Sequence, residues 1–96
     1  MITIKAILHL YDNVRKTPFS SGYRPAFDFN SGSLTSGRIL LRDETQLFYP
    51  GEIKEVEINF MFNEFLKNKL NIGEKVFFYE GSNQLGEIEI KEILDR

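Results

Sequence analysis

The sequence predicts an all-β domain, an antiparallel sandwich or small barrel, on three observations. Apolar side chains recur with a period of two in six separate stretches, the spacing that puts them on one face of a pleated strand. Glycine, proline, asparagine and serine gather between those stretches, where the chain must reverse. The chain has 96 residues, 42% of them hydrophobic, with nine phenylalanines. That is enough for one domain with a real core and too little for two.

In the first stretch, Ile2, Ile4, Ala6, Leu8 and Leu10 alternate with Thr3, Lys5 and His9, the mark of a half-buried strand. Tyr11 to Gly22 is rich in Asp, Asn, Ser and Pro and reads as a long loop. Phe27 and Phe29 then alternate with Ala26 and Asp28, and Arg38–Arg42 alternates around Ile39 and Leu41. Pro50-Gly51 signals a tight turn, with proline at its second position and glycine at its third. Beyond it Val56, Ile58 and Phe60 face one way and Glu55, Glu57 and Asn59 the other. Val76 and Phe78 alternate with Lys75, Phe77 and Tyr79, and Ile88 and Ile90 with Glu87, Glu89 and Lys91. Only Asn63–Leu70 has helical character, and it is too short to stand alone. The expected interior is therefore Ile39, Val56, Ile58, Phe60, Val76, Phe78, Ile88 and Ile90.

The residue inventory argues against catalysis. No cysteine is present, which removes disulfides, thiolate metal sites and cysteine nucleophiles. His9 is the single histidine, so a multi-histidine centre within one chain is impossible, and its place on the polar side of a strand fits a solvated imidazole. Asn30–Gly37, NSGSLTSG, is rich in glycine and hydroxyls but has no lysine and leads into a strand. It lacks both the amide cradle and the helix dipole of a phosphate loop. Glu55/Glu57 and Glu87/Glu89 have the spacing of carboxylates on any solvent-facing strand. The expectation is a protein that is no enzyme and takes no metal, cofactor or nucleotide.

No apolar run approaches the roughly 20 residues of a membrane-spanning helix, and the N-terminal run is broken by Lys5 and His9 without a cleavage signature. A soluble, cytoplasmic protein with no membrane partner is expected. The net charge of −2 does not suggest general nucleic-acid binding. Residues 1–42 carry six basic and two acidic side chains, and residues 43–96 six basic and twelve acidic. Halves of a β fold interleave, so this asymmetry is expected to cancel over the surface.

One segment is more specific. Arg15–Phe29, RKTPFSSGYRPAFDF, closely resembles the opening of the third domain of bacterial elongation factor Tu, which runs Arg-His-Thr-Pro-Phe and then Gly-Tyr-Arg-Pro-Gln-Phe with a further Phe. Arg15, Thr17, Pro18, Phe19, Gly22, Tyr23, Arg24, Pro25, Phe27 and Phe29 match it. Thr35-Ser36-Gly37-Arg38-Ile39, Pro50-Gly51-Glu52 and the Gly73–Gly81 and Gly86 hairpin resemble later signals of that domain in the same order. The resemblance covers nearly the whole chain and implies a six-stranded antiparallel closed Greek-key barrel. GTP hydrolysis does not carry over, because it belongs to a separate domain.

The resemblance implies a non-enzymatic binding module that docks a macromolecule linked to translation. Arg15, Lys16 and Arg24 are the candidate contacts for RNA or another partner, with Arg15 matching the basic pair of the family and Lys16 replacing its histidine. Structural work is the expected role of Tyr23 and Arg24, which would tie the long loop to the barrel, while Gly22 takes a backbone conformation that a side chain resists. Ala26 stands where the family directs a glutamine at tRNA, and Tyr79 and Asn83 stand where it carries arginines. These losses leave few phosphate contacts, so tRNA binding is expected to be weak and a protein partner is favoured. Leu40, Phe77 and Tyr79 replace a carboxylate, an alanine and an arginine on outward-facing positions and are the candidate protein interface. The partner is expected to be a translation component, or a toxin acting on translation that the chain neutralises as an immunity or antitoxin protein.

Overall fold

The computed structural model describes residues 1–61, 66 and 68–95. The fold is all-β. Its strands are β1 (Ile2–Leu10), β2 (Phe19–Ser20), β3 (Ala26–Asp28), β4 (Leu34–Leu40), β5 (Leu47–Phe48), β6 (Ile53–Phe60), β7 (Lys75–Glu80) and β8 (Asn83–Asp95). Six of them close into an antiparallel barrel in the order β1-β6-β4-β3-β7-β8, with β8 returning to β1. β3, β4 and β6 follow one another as neighbours and β1 lies beside β6, which is a Greek key. Closure leaves no full-length sheet edge exposed.

Alternation sets the interior. Ile39, Val56, Ile58, Phe60, Val76, Phe78, Ile88 and Ile90 are all buried, as the pattern requires, and Ile2, Ile4, Ala6, Leu8 and Leu10 join them from β1. Phe27 lies at the centre, 5.3 Å from Phe60 in an edge-to-face contact and 5.7 Å from Phe78. Burying one such ring contributes about 1.5–3 kcal/mol, and edge-to-face pairs add a little more. Gly86 is a packing requirement rather than a turn: a Cβ there would collide with the His9 carbonyl and crowd Phe78. Buried Thr3 is satisfied by donating a 2.8 Å hydrogen bond to Asn59 Oδ1.

Three parts of the chain differ from the sequence pattern. The long loop contains β2, which pairs with β5 as a second, two-stranded sheet and stacks Phe19 on Phe48 at 5.0 Å. Two-residue strands are too short to show a period. β4 starts at Leu34 and stops at Leu40, because Leu41 turns away to donate its N–H to Ser21 Oγ. β8 runs 13 residues, with register shifts against both neighbours that break the simple alternation. The expected turn is present: the Glu52 N–H bonds the Tyr49 carbonyl across Pro50 and Gly51, and Gly51 has φ 91°. Half of the helical candidate Asn63–Leu70 lies outside the described residues, and Leu66 and Leu70 are buried.

Candidate docking face

A cluster around Glu80 helps fasten the long loop to the barrel. Arg15 donates from Nε to the Thr17 carbonyl at 2.7 Å and pairs with Glu80 at 3.0 Å. Its guanidinium lies 4.8 Å from the centre of the Tyr23 ring, which stacks on Phe19 at 4.8 Å. The Tyr23 hydroxyl bonds the same Glu80 carboxylate. Burial first, then that bond and the Glu80 charge, push the Tyr23 hydroxyl up to about 12. Gly22, at φ 99°, lets the loop cross close to β4.

The structure thus places the tying guanidinium at Arg15. Arg24 does not tie the loop: it is exposed and has no hydrogen bond or ion pair among the described residues. A side chain that alternates with Tyr23 and Pro25, both turned toward the barrel, must point outward. Lys16 is exposed beside an open depression lined by Asp12, Asn13, Val14, Arg15 and Pro50. Arg15 and Lys16 therefore do not form a joint basic surface, because Arg15 is held inward by Glu80 and Tyr23.

The three candidate interface residues also divide. Phe77 and Tyr79 stand on β7, where Phe77 pairs with Asp28 and Tyr79 with Ala26 of β3. On the far side of β3, Asp28 pairs with Leu34 and Ala26 with Ser36 of β4. The outer wall therefore reads Leu34–Asp28–Phe77 in one row and Ser36–Ala26–Tyr79 in the next. Leu34 is 47% exposed and Phe77 is 42% exposed. Leu40 lies four residues along β4 from Ser36, roughly 13 Å away at about 3.3 Å per residue. It is half-buried and lines a separate hollow with Lys5, Arg42, Glu55 and Glu57. Leu34 belongs to the patch in place of Leu40.

A third row continues the wall. The Gly37 N–H bonds the Pro25 carbonyl at 3.1 Å and the Ile39 N–H bonds the Tyr23 carbonyl at 2.8 Å. Arg24 and Arg38 face each other between those two bonds, the position where cross-strand side chains come closest, with Cα atoms roughly 4.5 Å apart. Both are exposed, and Arg38 lays its guanidinium along Gly22, whose Cβ position is 3.7 Å from Nε. Neither has a carboxylate partner among the described residues.

Sequence reasoning missed Leu34 and Arg38. The alternation of β4 could have found them, since Gly37 and Ile39 face inward and so turn Leu34, Ser36, Arg38 and Leu40 out. The glycine-rich look of Asn30–Gly37 hid the strand. Among the described residues, no three His, Asp or Glu side chains gather as a metal site would require. No protein-family model matches the chain.

Proposed function

We propose that this chain is a non-enzymatic protein-docking module whose contact face is the outer wall of β4, β3 and β7. The observation that carries the reading is Leu34 and Phe77, two large exposed apolar side chains flanking Asp28 on a rigid strand platform, with Tyr79 in the adjoining row. Large apolar groups grouped on a wall cost solubility when bare and supply binding energy when covered. An aromatic anchor of this kind contributes about 2 kcal/mol or more in a good interface.

The resemblance of Arg15–Phe29 to the third domain of elongation factor Tu directs the search toward translation. Phe77 and Tyr79, where that domain carries alanine and arginine, fit a dedicated protein partner, either a translation component or a toxin acting on translation. A tRNA partner is disfavoured, because Arg15 is engaged by Glu80 and the Arg24–Arg38 pair alone offers few phosphate contacts. The test is capture from the protein's own cells, scored for tRNA and protein together, with wild type beside Leu34→Ser/Phe77→Ser. The reading expects a protein that wild type retains and the double variant loses at unchanged thermal stability. Equal retention by both, or recovery of tRNA alone, overturns it.

A further inference from the structure

We infer that the segment this face receives carries carboxylates beside its apolar side chains, with the acidic groups seated on Arg24 and Arg38. The inference rests on the docking reading above and names the chemistry of the partner.

The argument begins with a cost. Like charges directly opposite one another across strands destabilise a sheet, most of all at a non-hydrogen-bonded position where the side chains are closest. Several cations elsewhere on the surface have a carboxylate partner: Lys75 with Glu87 at 3.4 Å, Lys91 with Glu89 at 2.9 Å, Lys54 with Glu52 at 3.2 Å and Arg15 with Glu80 at 3.0 Å, while Lys5, Lys16 and Arg42 stand singly without one among the described residues. The chain is acidic overall, so carboxylates to neutralise an arginine pair are not scarce. Arg24 and Arg38 nevertheless stand together without one among the described residues.

Their position selects the ligand. The pair lies one row from Tyr79 and two rows from Leu34 and Phe77, with Arg38 on β4 and Arg24 on the run that leads into β3. An occupant reaching both sets needs apolar side chains at one end and anions at the other, about two residue pairs away. Guanidinium groups meet carboxylates through paired, planar hydrogen bonds, and two of them hold an acidic pair in register. A nucleic acid would set phosphates on the arginines and stack bases on Phe77 or Tyr79 but leave Leu34 bare, because a base needs an aromatic platform rather than a leucine.

Selection of a random-peptide display library on the intact protein tests this, with a random-sequence RNA pool as the second arm. Wild type is expected to enrich Asp or Glu neighbouring Leu, Phe or Trp. Arg24→Gln/Arg38→Gln is expected to lose the acidic preference, keep the apolar one, and bind the selected peptides roughly tenfold more weakly. Leu34→Ser/Phe77→Ser should lose the apolar preference. Acidic enrichment that survives in the arginine variant overturns the inference while leaving the docking face intact. Peptides indifferent to both variants, or no enrichment at all, overturn the docking reading with it. Tighter retention of RNA than of any peptide, lost in the arginine variant, assigns the pair to phosphate and overturns the inference as well.

Discussion

On the outer wall of β1, β6 and β8 several polar side chains bond one another, whereas the wall of β4, β3 and β7 sets exposed apolar groups beside two arginines. Thr3 donates to Asn59, Lys91 pairs with Glu89 at 2.9 Å and, from the adjoining loop, Tyr11 donates to Glu87 at 2.8 Å. Across β4, β3 and β7 the rows instead show Leu34 and Phe77, then Tyr79, then two arginines without carboxylates among the described residues. The same two-residue alternation builds both walls, so the difference is not imposed by the fold. On the docking reading proposed above, these residues serve a partner rather than the barrel.

The strongest way to break the comparison is through stability. Phe60→Ala empties a position packed against Phe27 and Phe29 and is expected to cost about 3–5 kcal/mol in urea unfolding. Phe77→Ser, on the outer wall, should stay within about 0.5 kcal/mol. Similar costs for both would mean that the β4–β3–β7 wall is structural. Next in size, Leu34→Ser/Phe77→Ser should weaken partner binding by about 2 kcal/mol, near 30-fold, at high and low salt alike, because apolar burial is not screened. A loss confined to low salt would reassign the binding energy to charge.

The loop staple gives a smaller effect. Arg15→Ala should cost about 1 kcal/mol, the scale of a partly exposed ion pair with an aromatic contact. The same cluster predicts a pH response. The Tyr23 hydroxyl is held at about 12 in the folded protein, above its ordinary value of 10.0. Its contribution is thus complete below pH 10 and is lost as pH rises through 12, since the unfolded state ionises first. Glu80→Gln should bring one late-titrating tyrosine down toward the others in an ultraviolet titration. The smallest effect belongs to the self-paired wall: Lys91→Ala should change stability by less than about 0.5 kcal/mol, because its ion pair with Glu89 is open to solvent.

The sequence shows the interior and the walls of the barrel with different clarity. Burial writes a period of two into β1, β6 and β7, so every expected core residue there lies inside. β2 and β5 carry no period because each is two residues long, and β8 disguises its length with register shifts. The site is less legible for a related reason. Phe77 and Tyr79 can be read as outward by counting from Val76 and Phe78, but which strand lies beside them depends on closure of the barrel. Only the β3–β4 and β3–β7 pairings bring Leu34 to Phe77 and set Arg24 against Arg38. Leu40 has the same parity as Leu34, and four residues of rise beyond Ser36 are enough to separate it from the patch.

The central claim, that β4, β3 and β7 carry the docking wall, is tested most directly by oxidative footprinting of side chains in the free and partner-bound protein. The account predicts that Leu34, Phe77 and Tyr79 react in the free protein and are protected in the complex. Tyr49, Ile53 and Met61, exposed elsewhere on the barrel, should react equally in both. Protection of Tyr49, Ile53 or Met61 with Leu34 and Phe77 still reactive would contradict it.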